Sequence, residues 1–236
     1  MENKFTNKIL KTFLSFSLAF FISLFSLQGF AQCTSGLGAN QEGFETAGAN
    51  FFQGPWTSWS LDAASSSFTG TNAWRSLSGS TGSTGTGPTG PSEGNYYVYC
   101  ETSGQYNRVA NLVSSCVDLS NFTDPAFLFS YHMYGATMGS LNVDLSTDSG
   151  STWTNLWTLS GDQGNQWNDG VVDLAQYSSN IVQLRMSYTS GTSFTGDCGI
   201  DDLRFMELPL VGCMDSSASN YDSTATIDDG SCLYPG

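Results

Sequence analysis

Carboxylates and sulfur carry most of the reactive chemistry available to this chain. Its 236 residues hold 21 Asp and Glu against 7 Lys and Arg, with one His and 6 Cys, for a formal charge of −14. One imidazole cannot build a two-histidine zinc site, which excludes H-E-x-x-H proteases and most zinc hydrolases. Ser-His-Asp chemistry is left a single candidate base, His132. A nucleic-acid partner is excluded, because nothing here neutralises a row of phosphates. Asp201-Asp202 has the residue types of an acid–base pair, but neighbouring strand residues point to opposite faces and cannot flank one bond.

Other side chains have types that suit binding. Trp56 and Trp59 lie in a Gly-Pro turn region, where exposed indoles would stack on sugar rings. Asp215, Asn220, Asp222 and Asp228, with Asp229, offer hard oxygens for a second metal ion, yet the D-x-D-x-D-G spacing is absent. Asx turns around a disulfide account for the same residues. Ser146 to Trp153 reads S-x-D-x-G-x-T-W and resembles the Asp-box of secreted β proteins. Physically it is a hairpin turn: Asp148 accepts backbone N–H groups, Gly150 takes the strained conformation, and Trp153 packs beneath.

An export signal frames these residues. Lys4, Lys8 and Lys11 precede an apolar run from Phe13 to Leu27, and Gly29-Phe30-Ala31 sets small residues before Gln32. This is the layout of a cleaved secretory signal over residues 1–31, with cleavage near Ala31. The run is about fifteen residues, short of a membrane span. What remains has four Arg, no Lys and twenty acids, a net charge of −16. Such a surface stays soluble and suits a medium rich in divalent cations. The expected location is secreted or at the cell surface, with no span in the mature chain. Six cysteines in that setting point to disulfides. Cys213–Cys232 is the best pair, because it closes a short tail with too little core to fold alone. Cys116–Cys198 is preferred among the rest, and Cys33 and Cys100 stay unassigned.

The elements that must position these groups are strands. Asn95–Glu101 is aromatic and β-branched, and Ala126–Tyr134 follows a Pro. Ser140–Thr147 and Ile181–Tyr188 alternate apolar with polar residues. Period two with polar partners predicts half-buried antiparallel strands, and short Gly/Ser/Thr/Asn turns predict a sandwich or jelly roll. In that alternation His132 falls with Leu128 and Ser130, opposite Phe127, Phe129, Tyr131 and Met133. A structural histidine held by a hydrogen bond is the expectation. Ser78–Gly94 has a linker's composition but strands on both sides, which predicts a long surface loop. The strand pattern stops near Glu207-Leu208-Pro209-Leu210.

In order along the chain stand Gly43-Phe44-Glu45, Trp74-Arg75, Gly94-x-Tyr96-Tyr97, Ala110-x-Leu112-x-Ser114, Phe129-x-Tyr131-His132-Met133-Tyr134-Gly135, Gly139-x-Leu141-x-Val143, Gly164-x-x-x-Trp167, Val172-x-Leu174 and Gly199-Ile200-Asp201-Asp202-Leu203. The series resembles the MAM domain, the extracellular module of meprin, neuropilin and receptor phosphatase mu. The resemblance implies an all-β, concanavalin-like jelly-roll sandwich over residues 38–207, used for adhesion and association, with no catalysis of its own. Two features depart from it. Ser92-Glu93 stands where vertebrate members have an Asp-His pair, and the first cysteines are out of register. Residues 211–236 resemble a short cysteine-bracketed repeat found in tandem in secreted bacterial proteins, which suggests a longer parent chain.

The resemblance also implies that the first and last strands lie side by side. That would bring Glu45 to Asp201 and Asp202, with Asp62 as a further ligand, and structural calcium is the expected cofactor. An ion pair with Arg75 or Arg204 is the competing account. The functional expectation is a non-catalytic interaction module whose partners are cell-surface proteins or a second copy of the chain. A carbohydrate-binding module, as an accessory domain of a longer secreted hydrolase, is the alternative.

Overall fold

A computed structural model describes Cys33, residues 41–46 and residues 56–234. The signal read at 1–31 and the domain start at 38 lie outside the described residues. Among the described residues eleven strands build the domain. They are β1 (Trp59–Leu61), β2 (Arg75–Leu77), β3 (Tyr97–Cys100), β4 (Val109–Ser114), β5 (Val117–Asp118), β6 (Pro125–Met133), β7 (Ser140–Ser146), β8 (Thr154–Ser160), β9 (Asn168–Asp173), β10 (Ile181–Thr189) and β11 (Cys198–Glu207). The tail adds β12 (Val211–Gly212) and β13 (Ile227–Asp228). Among the described residues no helix is long and apolar enough to cross a membrane.

Two antiparallel sheets form a sandwich, as the alternation predicts. One runs β1-β4-β10-β7-β8 with β5 beside β10; the other runs β2-β3-β11-β6-β9. Their facing surfaces supply the core. Leu112, Leu141, Leu145, Leu184, Met186 and Tyr188 come from the first sheet, and Val98, Phe127, Phe129, Ile200 and Phe205 from the second. Period two lets each strand give alternate side chains to this layer. The rings of Phe127 and Phe129 stack within it, 5.4 Å apart.

The loop read as a surface segment, residues 78–94, does more than run over the surface. It folds back across the outer face of β3, β11 and β6. Thr81 and Thr86 are buried within it. The Thr86 hydroxyl donates to the Tyr134 carbonyl at 2.9 Å and accepts the Asp197 amide at 2.8 Å. Trp167 donates its indole N–H to the Gly90 carbonyl at 3.0 Å. Pro88 and Trp167 sit so close over Gly199 that an added Cβ there would lie 3.2 Å from each. The loop and Trp167 therefore cover the outer side of β6 at His132, which is buried there, while Leu128 further along the same side lies against Leu208, Pro209, Val211 and Ile227.

The tail is a small unit on a disulfide. Cys213 and Cys232 are bridged as expected, and β12 pairs with β13 in parallel.

Candidate functional site

Acidic residues from the opening segment, the 78–94 loop and β11 meet at one place. Glu42 and Leu203 exchange both backbone hydrogen bonds, so the opening segment does lie beside the last strand of the domain. A β-bulge between Asp201 and Arg204 then separates the two aspartates. Asp202 takes the left-handed conformation, with φ at 52°. A bulge bends its strand and re-aims the side chains next to it. Asp201 is fully buried and Asp202 turns to pair with Arg204.

Backbone amides hold these carboxylates. Asp201 Oδ2 accepts the amides of Ser92 and Glu93 at 2.9 and 3.2 Å, and its Oδ1 accepts that of Asp202 at 2.9 Å. Burial nevertheless pushes Asp201 up to about 7. The two loop amides oppose the shift, and the charges of Glu93 and Glu45 add to it. Glu45 Oε1 accepts the amides of Asn95 and Tyr96 at 2.8 and 2.9 Å, and its Oε2 accepts the Asn95 side chain at 3.0 Å. Burial raises this carboxyl, but those bonds together outweigh it and hold Glu45 below the usual range. Glu42 is buried and accepts the amides of Phe44 at 2.8 Å and Ser58 at 3.3 Å. A pocket of about 270 Å³ opens here, lined by Glu42, Glu45, Thr46, Thr57 and Glu93.

Of the expected metal set, Glu45 and Asp201 come together and the other two do not. Asp62 follows β1 in the other sheet, where its carboxylate caps the turn amides of Ala64 and Ser65. Asp202 is committed to Arg204, which is half of the ion-pair account; Arg75 lies over the Tyr99 ring, 5.5 Å from its centroid. Glu42 and Glu93 were missed. Isolated acids in a sequence carry no sign of which strands the fold will join. Among the described residues no three Asp, Glu, His or Cys side chains stand close enough to hold one metal ion as placed.

The remaining candidates sort by burial and local bonding. Trp56 and Trp59 are not exposed platforms: they are 4% and 2% exposed. Trp56 meets Phe44 edge-on at 5.5 Å and Trp59, the first residue of β1, packs on Phe127 at 5.8 Å, so both indoles belong to the core. The preferred Cys116–Cys198 bridge is also overturned. Cys116 follows β4 in the first sheet and is bridged to Cys33, whereas Cys198 opens β11 in the second. In the tail, Asp215 caps Ser217, Asp222 caps Thr224 and Asp228 caps Gly230, while Asn220 bonds Ser231 and Leu233. The three aspartates cap their own turns, Asn220 ties distant parts of the tail together, and among the described residues no shared ligand set forms.

His132 is sealed in. It is 2% exposed, and its Nε2 lies 3.2 Å from Asn165 Oδ1. Trp167 and Tyr134 flank the ring edge-on. Burial lowers its pKa, against the raising effects of Asn165 and Asp162. The Ser146–Trp153 segment is the hairpin turn its spacing suggests. Asp148 accepts the amide and hydroxyl of Thr152 at 2.8 and 2.7 Å, and Ser146 bonds Asp148 and Gly150. The Thr152 hydroxyl and amide, with Ser146, hold Asp148 down to about 2.

The sequence profile of the MAM domain, meprin/A5/mu, matches residues 54–210. The chain belongs to the MAM family. Neuropilin-1a of Danio rerio is 34% identical over 125 residues, which cover 52% of this chain and 13% of that protein. MAM domain-containing glycosylphosphatidylinositol anchor protein 2 of Homo sapiens is 35% identical over 126 residues, covering 49% of this chain and 13% of that protein. The K1 cleaved adhesin domain of Lys-gingipain from Porphyromonas gingivalis W83 aligns with a TM-score of 0.47 at 17% identity, over 72% of this chain and 98% of that one. The match thus spans a small part of the curated MAM proteins. In this MAM domain the departure at Ser92-Glu93 falls at the acidic pocket: both amides hold Asp201, and the Glu93 carboxylate reaches Gly43, where an added Cβ would lie 2.1 Å from its Oε1.

Proposed function

We propose that this MAM domain is a non-catalytic extracellular interaction module that binds a cell-surface protein or a second copy of itself. The observation that carries the reading is the burial of His132. The one imidazole in the chain is buried under a covering loop, where it hydrogen-bonds an amide side chain. The disulfides support an oxidising compartment and hence export. Purified chain examined by light scattering and by binding to cells should self-associate or bind, and protease pretreatment of the cells should abolish cell binding. Selective binding on a glycan array, with no self-association and no protease-sensitive cell binding, would replace this reading with the carbohydrate one.

A structural divalent cation belongs to the same proposal, on a narrower ligand set than Glu45, Asp62, Asp201 and Asp202. Its support is electrostatic. Glu45 and Glu93 both press Asp201 toward its protonated form, and hard oxygen donors of that charge suit calcium. The donors fit in kind and charge, and the amide bonds they already make limit them in spacing. Calorimetric melting tests it. Calcium at a hundred- to thousandfold excess over its dissociation constant should add about 3–4 kcal/mol. EDTA should remove that gain, and Glu45→Ala should remove the response. A midpoint unchanged by EDTA after metal-free refolding sinks it.

A further inference from the structure

Two cysteines stand outside both bridges, Cys100 at the end of β3 and Cys198 at the start of β11. They are direct partners in the antiparallel register of these strands. Residues directly opposite in such a ladder leave the sheet on the same face, with Cα atoms about 4.5–5.5 Å apart. A disulfide spans Cα separations of about 4.4–6.8 Å. Both side chains are fully buried and belong to the core between the sheets, so they share the inward face. The pairing does not depend on the thiols. Asp197, just before β11, accepts the amide and hydroxyl of Thr102, just after β3, at 2.9 and 3.0 Å, and so pins the same ends together.

We propose that Cys100 and Cys198 form a third disulfide, which clamps β3 to β11 inside the sandwich. The two bridges already present show that this chain suits an oxidising compartment. The oxidant is a donor disulfide, on a protein or a small molecule. One cysteine loses its proton, and its thiolate attacks a donor sulfur, releasing one donor thiol and leaving a mixed disulfide. The thiolate of the second cysteine then displaces the other donor sulfur. Two S–H bonds are lost and one S–S bond forms. The donor disulfide takes up two electrons and two protons and leaves as two thiols.

The order of events follows from burial. In the folded chain burial pushes both thiols well above the ordinary range, and the neighbouring Asp197 charge adds to this. A buried neutral thiol does not attack a disulfide. The bond therefore forms while the strands are still open, and afterwards it is shielded from reductant.

Peptide mapping of the exported full-length chain decides the matter. The protein is denatured without reductant, treated with N-ethylmaleimide and digested. The expected result is no alkylated cysteine and one peptide pair joined through Cys100 and Cys198. Alkylation of both, with the other four cysteines still bridged, overturns the proposal, and so does a bridge from either one to any other cysteine. The Cys100→Ser variant gives a second reading. It should expose one alkylatable thiol, at Cys198, and lower the melting midpoint by about 10 °C. An unreactive Cys198 in that variant means a different pairing and overturns the clamp. If the variant does not fold, the wild-type map stands alone as the test.

Discussion

The backbone of Glu42 is joined to that of Leu203 by two hydrogen bonds, N to O at 2.8 Å and O to N at 2.9 Å. This pair carries the opening segment onto β11. It also buries the Glu42 carboxylate, which accepts the amides of Phe44 and Ser58. Glu42→Ala leaves those amides without their acceptor while the ladder bonds remain. Unfolding in urea should show a loss of about 1–3 kcal/mol, the usual penalty for an orphaned buried donor. A change below about 0.5 kcal/mol, the range of an ordinary surface substitution, would mean that water replaces the carboxylate freely.

A pH dependence follows from two buried carboxyls. Burial pushes Asp201 up to about 7 and Asp197 up to about 6, against the amides of Glu93 and Ser92 in the first case and of Thr102 in the second. In an unfolded chain such groups titrate near about 4. Between the unfolded and folded values the native state keeps a proton that the unfolded state has shed, so stability falls as pH rises. His132, whose pKa burial lowers, works the other way below its ordinary value of about 6.5, so denaturant titrations from about pH 6.5 to about pH 7.5 should show the decline, at no more than about 1.4 kcal/mol per pH unit for each group. Asp201→Asn should remove its share of the slope. Stability that rises across the same window in metal-free buffer contradicts the argument.

The covering loop makes a sharper demand on one glycine than on its neighbour. Gly87 has φ at 68°, and a Cβ there would lie 2.3 Å from Thr81 Oγ1. Gly85 has φ at 75°, but open space surrounds it. Alanine at Gly85 should cost only the left-handed backbone penalty, about 1 kcal/mol. Alanine at Gly87 should cost roughly twice that or more, because Thr81 must also move. Equal losses in urea titrations of the two variants would show that the loop is not packed as described.

These residues also mark where the sequence stops being legible. Strands β6, β7 and β10 fall within a residue or two of where alternation puts them, because one face of each meets a core that selects period two. Short strands such as β1 and β2 give no such signal, being three residues each. The glycine-rich loop misleads by composition. Its value lies in backbone groups and threonine hydroxyls that bond Tyr134 and Asp197, which residue frequencies do not record. Trp56 and Trp59 mislead in the same way, since the Gly-Pro beside them suggests an exposed turn while both indoles pack in the core. At the acidic pocket, Glu45 and Asp201 are paired only by what the MAM resemblance implies, that the first and last strands lie side by side. Glu42, Glu93 and the Cys100–Cys198 juxtaposition depend on which strand lies beside which, and spacing does not encode that.

The tail should come undone by itself. Its interior is little more than Cys213 and Ala218, while Val211, Ile227 and Leu233 are 60%, 48% and 62% exposed. The β12–β13 pair has two residues a side, too few to hold without help. What fixes the segment is the Cys213–Cys232 bridge across a separation of 19 residues, a closure worth about 3 kcal/mol in chain entropy. Replacing both cysteines with alanine should therefore open the tail, and limited proteolysis should cut between residues 213 and 232. The sandwich has its own core and its own ladders, so its calorimetric midpoint should move by no more than about 3 °C. A drop of 10 °C or so in the main transition would show instead that the tail, through Leu208, Pro209, Val211 and Ile227 against Leu128 and Val171 of the outer sheet face, is part of one cooperative unit.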